Sequence, residues 1–150
     1  MDSREIFERV VESADRFGAG NPQQSRFFGS TLNKCAPEEV FRGLLAVFVE
    51  CPLDEKHYAR QELAGRLLAK IKPMYRFELE PTIRQVLSRY DLSIEQLPQH
   101  LARVHGREKV LEVLDQLAVA PLSDRELVAV RTMWWWLTGE RHASDGRNAV

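Results

Sequence analysis

The chain has 150 residues, of which 44% are hydrophobic and 29% charged, and its formal net charge at pH 7 is −1. This composition is typical of one globular domain that needs no disulfide or metal to fold, so we expect a single domain over residues 1–150. The balanced charge argues against nucleic acid as a partner, and the longest apolar run (44–49) is far shorter than the ~20 residues of a membrane span.

The first two helices are predicted to form an N-terminal hairpin over residues 1–36. Ser3 is expected to cap the first helix, which ends in the Gly-Ala-Gly-Asn-Pro sequence at 18–22. Ser25 is expected to cap a shorter second helix. The apolar positions of the two helices recur at helical intervals: Ile6, Val10, Ala14 and Phe17, then Phe27, Phe28 and Leu32.

The third and fourth helices make up the first of the main hairpins. Pro37 occupies the first position of the third helix, whose side chains from Val40 to Val49 are apolar on nearly every side. Such a helix is usually enclosed by neighbours, so we expect it at the centre of the N-terminal half. Asp54 is expected to cap the fourth helix and Pro73 to stop it, and 74–80 is predicted to be a packed connector.

Four further helices follow in the C-terminal half. The fifth is expected to start at Pro81 and to extend to Tyr90, and the sixth to start with a Ser93/Gln96 capping box. Gly106 separates the sixth helix from a seventh over 107–118. The eighth helix begins with a Ser123/Glu126 capping box and ends at Gly139.

These elements predict an all-α fold of about eight helices. The links are short, so consecutive helices should form antiparallel αα-hairpins, with the main hairpins over 37–139 and a frayed polar tail over 140–150. The arrangement is either an irregular bundle or a short array that resembles HEAT-like helical hairpins in outline.

The sequence Trp134-Trp135-Trp136 is the most unusual feature of the last helix. Successive helical residues are ~100° apart, so three tryptophans in a row cannot share one face. Trp134 falls in line with Leu127, Val130 and Leu137 and is expected in the core. A position in the core is the favoured interpretation for the other two tryptophans as well. The alternative is that Trp135, Trp136 and Met133 form a partner surface, because tryptophan and methionine are enriched at interfaces.

A second candidate surface surrounds the Gly106 turn. Five basic side chains cluster there in sequence: His100, Arg103, His105, Arg107 and Lys109. The simplest interpretation is that these side chains are solvated at a helix end. The alternative is that they form a pH-sensitive docking site for an acidic partner. The outline resembles a helix-turn-helix, but Arg107 stands where an apolar residue is expected and the following helix carries three carboxylates, which disfavours DNA binding.

Catalytic and metal-binding patterns are not found. His100 and His105 are five residues apart and would point ~140° away from each other on a helix. The sequence contains no phosphate-binding glycine loop and no nucleophile elbow. We therefore predict no catalytic residue, no metal and no cofactor, and we expect Cys35 and Cys51 to be free thiols.

The sequence favours a non-catalytic protein–protein interaction module, an adaptor or an inhibitor, that acts through its C-terminal helices. The expected partner is another protein, and a homodimer is possible. Two alternatives stay open: a nucleic-acid-associated regulator that uses 100–109, or an enzyme of unfamiliar type with a pocket between helices. No secretory signal is recognisable, so the cytoplasm is the expected compartment.

Overall fold

The structure, a computed structural model, describes residues 1–146, and this part of the chain is all-helical, which confirms the predicted fold class. Its helices are α1 (Ser3–Phe17), α2 (Pro22–Leu32), α3 (Pro37–Glu50), α4 (His57–Ile71), α5 (Leu79–Val86), α6 (Gln96–His105), α7 (Arg107–Ala118), α8 (Asp124–Thr138) and α9 (Ala143–Gly146). The short α9 is the helix that the sequence does not predict. The last four residues of the predicted tail, 147–150, lie outside the described residues.

The chain divides into two compact units, unit 1 over Met1–Tyr75 and unit 2 from Arg76 onward. The boundary does not follow the predicted division at residue 36. In unit 1, α1 packs chiefly against α3, and both α1 and α2 pack against α4. The predicted N-terminal hairpin therefore shares its core with the helix pair that follows it.

Helix α3 is the centre of unit 1, as its apolar sequence predicts. Phe41, Leu44 and Phe48 are fully buried between α1 and α4. Close approach of α1 depends on Gly43, because a Cβ there would lie 2.7 Å from the Ile6 Cγ2 atom. A side chain of any size at this position would force the two helices apart.

Three helix starts in unit 1 differ from prediction, and in the first two a neighbouring residue supplies the cap. Asp2, not Ser3, accepts a hydrogen bond from the Glu5 backbone N–H and forms a capping box. Asn21 caps α2 with Pro22 at its first position, so this helix begins three residues before Ser25. Asp54 accepts a hydrogen bond from the Lys56 N–H in the turn before α4 and is not its N-cap.

In unit 2, α7 packs against both α6 and α8. Three predicted boundaries are wrong here. Helix α5 starts at Leu79, two residues before Pro81, and ends at Val86. Tyr90 lies beyond it with its hydroxyl donating to the Ile94 carbonyl oxygen at 2.7 Å. Helix α6 has Glu95 as N-cap without a side-chain cap, since Ser93 instead bonds back to Asp91.

The predicted ends of α8 are confirmed. Ser123 and Glu126 form the expected capping box, and Gly139 takes the left-handed conformation at φ 73°. The frayed tail is wrong for the described part of 140–150, because His142 and Ser144 are buried. Gly106 also has positive φ, at 90°, as expected for the turn between α6 and α7.

In the described part of the chain, none of the helices combines the length and the apolar character needed to cross a bilayer.

Candidate functional site

A cleft of about 300 Å³ opens between α8 and the C-terminal turn of unit 2. We call it the Trp135 cleft. Its lining combines aromatic, aliphatic and charged side chains: Val128, Arg131, Thr132, Trp135, Arg141, His142 and Asp145. The volume is at the lower end of the range for ligand pockets, which suits one or two inserted side chains better than a large cofactor.

Helical spacing produces the apolar wall of the Trp135 cleft. Val128, Thr132 and Trp135 stand at i, i+4 and i+7 and therefore share one face of α8. Trp135 is 46% exposed and Val128 is 40% exposed. Fixed aromatic and aliphatic groups on an open face are typical of surfaces that bind other proteins.

Trp136 supports the Trp135 indole from the side. The two rings meet edge to face with centroids 4.8 Å apart. The Trp136 Nε1–H donates to the Leu92 carbonyl oxygen at 2.9 Å. Since Trp136 is half-buried and bonded within unit 2, it holds its neighbour in place, and its own contact with a partner stays a prediction.

His142 anchors the C-terminal turn to α7. Its Nε2 atom lies 2.5 Å from the Asp115 Oδ1 atom, and its Nδ1 atom accepts from the Ser144 backbone N–H at 3.1 Å. Because Nδ1 accepts that hydrogen bond, the ring proton is on Nε2 and points to the carboxylate. The ring also meets Trp134 edge to face at 4.7 Å.

Arg131 fixes the same turn from α8. Its Nε–H donates to the Ser144 Oγ atom at 3.1 Å, and a terminal N–H donates to the Ser144 carbonyl oxygen at 3.2 Å. Its guanidinium also lies 3.8 Å from the Asp145 carboxylate. Arg141, in contrast, is exposed and its guanidinium makes no contact with a carboxylate of the described residues, so its N–H groups can donate to an acceptor on another molecule.

The contacts Ser144–His142–Asp115 have the residue types of a hydrolytic triad, with Ser144 Oγ 2.7 Å from His142 Nδ1. The serine is only 8% exposed and is not part of the cleft wall. Its Oγ atom also accepts a hydrogen bond from Arg131, which holds the hydroxyl within the turn. These three residues therefore tie the turn to α7 and α8 rather than present a nucleophile to the cleft.

The predicted basic surface around Gly106 is not a continuous cationic surface. His100 is fully buried, so its assignment to a partner surface is wrong, and its Nδ1 atom lies 2.8 Å from the Arg103 Nη1 atom. Burial and the nearby Arg76 lower the pKa of His105, which keeps that ring uncharged at neutral pH. Arg103 itself is half-buried.

The two remaining cations of that surface are engaged within unit 2. The Arg107 Nε–H donates to the Leu137 carbonyl oxygen at 3.0 Å, and Lys109 lies 3.8 Å from the Glu112 carboxylate. Both side chains are exposed, so their contact with a partner stays a prediction.

Two predictions about the last helix are wrong. Met133 is fully buried and therefore cannot belong to a partner surface. Trp134 is half-buried instead of enclosed in the core, and its ring meets the His142 ring edge to face.

The charged residues of the Trp135 cleft are not predicted from the sequence. The i, i+4, i+7 spacing from Val128 to Trp135 could have indicated its apolar wall, because residues at this spacing share one face of a helix. Arg141 and His142 gave no such signal, since they lie in a polar segment without periodicity and reach the cleft only through tertiary contacts.

The described residues contain no cluster of three or more His, Cys, Asp or Glu side chains that could hold a metal ion. Cys35 is half-buried and Cys51 buried, and both are free thiols. Burial raises the pKa of the Cys51 thiol, which keeps it protonated and unreactive at neutral pH.

Comparisons with protein families, with curated proteins and with solved structures find no match to this chain.

Proposed function

We propose that this chain is a protein-binding module, an adaptor or an inhibitor, that binds a partner protein at the Trp135 cleft. The observation that carries the proposal is a half-exposed tryptophan at the rim of a cleft whose opposite wall is fixed by hydrogen bonds. A wall that is already ordered loses little conformational entropy when a partner binds.

The chemistry of the cleft suggests what a partner would insert. An aliphatic or aromatic side chain would contact Trp135 and Val128, and a carbonyl or carboxylate oxygen would accept from Arg141. Tryptophan and arginine are the residue types that most often dominate binding energy at interfaces.

The alternative of a nucleic-acid-associated regulator receives less support. The side chains assigned to it between 100 and 109 include a buried histidine and a histidine that is uncharged at neutral pH. Phosphate binding needs several accessible cations on one face. We keep the cytoplasm as the expected compartment, where free thiols such as Cys35 persist.

Site-specific photocrosslinking tests the proposal. A photoreactive phenylalanine analogue replaces Val128 at the rim of the cleft, and in a control it replaces Val119, which is 84% exposed. In cells of the native source, we expect position 128 to give one discrete adduct that disappears on Trp135→Ala and persists on Tyr58→Ala, since Tyr58 is equally exposed but lies in unit 1.

The adduct mass identifies the partner, and an adduct of twice the chain mass identifies a homodimer. Equal adducts from positions 128 and 119, or an adduct that survives Trp135→Ala, would contradict binding at the cleft.

A further inference from the structure

A second concave surface lies in unit 1 between α1 and α2. We call it the Phe17 groove, and its volume is about 470 Å³. Both helices pack against α4, so the groove follows their exposed flanks. At its base, the Ser13 hydroxyl donates to the Gln24 Oε1 atom at 3.0 Å, which links the two helices.

Two aromatic side chains of the Phe17 groove are exposed to solvent. Phe17 is 43% exposed and Phe27 is 41% exposed. Phe28 lies behind them, 1% exposed and edge to face with Phe27 at 5.2 Å. Clustered aromatic side chains at the surface of one groove are a feature of protein-binding sites.

The charged rim of the groove is net cationic. Arg9 makes no ion pair within the described residues, although it lines the groove. Arg16 lies 3.9 Å from Glu12, but both side chains are more than 60% exposed, at 66% and 70%, so water screens this pair. The Arg16 guanidinium also stacks over the Phe17 ring at 5.0 Å.

We propose that the Phe17 groove binds an amphipathic helix of a partner protein that carries carboxylates beside its apolar face. The groove is a concave space between two helices with aromatic walls, which is the shape that helix-in-groove recognition uses. Arg9 and Arg16 stand two helical turns apart, about 10 Å along α1, so carboxylates two turns apart on the partner would reach both.

Glu12 lies between those arginines and favours a peptide over a nucleic acid. A phosphate backbone carries a charge at every nucleotide and would meet this carboxylate. A helix can place a neutral or basic side chain opposite Glu12 and carboxylates on either side. This site lies in unit 1 and does not depend on the Trp135 cleft.

Fluorescence anisotropy with the full chain tests the proposal. The probe is a labelled peptide of about 16 residues with leucine at i, i+3, i+4 and i+7 and glutamate beside them, and the matched control has lysine in place of each glutamate. We expect the glutamate peptide to bind at least about tenfold more tightly than the lysine peptide.

Three variants connect binding to the groove. Phe27→Ala and Arg9→Glu should each weaken the glutamate peptide about tenfold, and Arg9→Glu should strengthen the lysine peptide. Tyr58→Ala removes an aromatic ring that is 50% exposed outside the groove and should change neither affinity. Circular dichroism checks that each exposed substitution leaves the fold intact.

The proposal is overturned by equal affinities for the two peptides, by an unchanged affinity in Phe27→Ala or Arg9→Glu, or by no binding up to about 1 mM. A labelled oligo(dT) that binds with the same dependence on Arg9 and Phe27 would also overturn it and assign the groove to nucleic acid.

Discussion

Substitution of Gly43 by alanine tests the closest helix contact in unit 1. The added Cβ would lie 2.7 Å from Ile6 Cγ2 and 2.8 Å from the Ser3 carbonyl oxygen, distances that Cβ atoms essentially never show. Ile6 is fully buried and the carbonyl is backbone, so neither can move without a shift of α1 relative to α3.

Two opposing effects determine the change in the free energy of unfolding. Overpacking of a tight core typically lowers it by about 1–3 kcal/mol. Replacement of glycine by alanine inside a helix raises it by up to about 1 kcal/mol, because alanine loses less backbone entropy on folding. We therefore expect Gly43→Ala to lower the free energy of unfolding by about 1–2 kcal/mol.

Gly29→Ala is the matched control, since Gly29 also lies within a helix and is buried. The three atoms nearest to its added Cβ all belong to the end of the Lys70 side chain, with Cε at 2.8 Å. That exposed side chain can move away, because water can replace its exposed hydrogen bonds to Ser25. We expect this variant to be between unchanged and about 1 kcal/mol more stable.

Urea unfolding followed by far-ultraviolet circular dichroism measures both variants. Tryptophan fluorescence is unsuitable, because all three tryptophans lie in unit 2. A Gly43→Ala protein as stable as the wild type, or an equal loss in Gly29→Ala, would refute the packing of α1 on α3 described above.

Other predictions follow from single contacts in each unit. Tyr90→Phe should lower the free energy of unfolding by about 1 kcal/mol, since it removes the buried hydrogen bond to Ile94; a thermal melt unchanged from wild type would show that this bond is not formed. The pKa of Asp15 is lowered by its hydrogen bond to Arg60. Because Asp15 is exposed and water screens this pair, Asp15→Asn should cost about 0.5–1 kcal/mol at pH 7, and the difference should vanish as the pH falls below the depressed pKa, measured by unfolding at several pH values. Asp115→Ala should speed amide exchange in residues 142–145 while leaving the melting temperature nearly constant, and unaltered exchange there would contradict the anchoring of that turn.

The Trp135 cleft and the Phe17 groove can be tested one at a time. They belong to different units of the chain, and no residue is common to both. If both bind partners, the chain would join two proteins, which is the role of an adaptor. If only the Trp135 cleft binds, an inhibitor of a single partner is the simpler function.

The sequence by itself determined the helices and their class. Apolar side chains at intervals of three and four residues create a face that must be buried, and this requirement acts within each segment. The Ser123/Glu126 box and Gly139 specify the ends of α8 for the same local reason, because a cap needs only residues three or four positions away. Competing caps such as Asn21 against Ser25 are decided by small energy differences, and the predicted starts there were wrong.

Only the tertiary structure decided which side chains were accessible. Met133 and Trp135 are two residues apart and equally apolar by sequence, yet one is buried and the other 46% exposed, because neighbouring helices cover one side of α8 alone. Likewise, the sequence places His142 in a frayed tail, whereas in the structure it is hydrogen-bonded to Asp115, which is distant in sequence. Periodicity reports that a face is apolar, whereas the identity of the element that covers it depends on contacts between segments far apart in the chain.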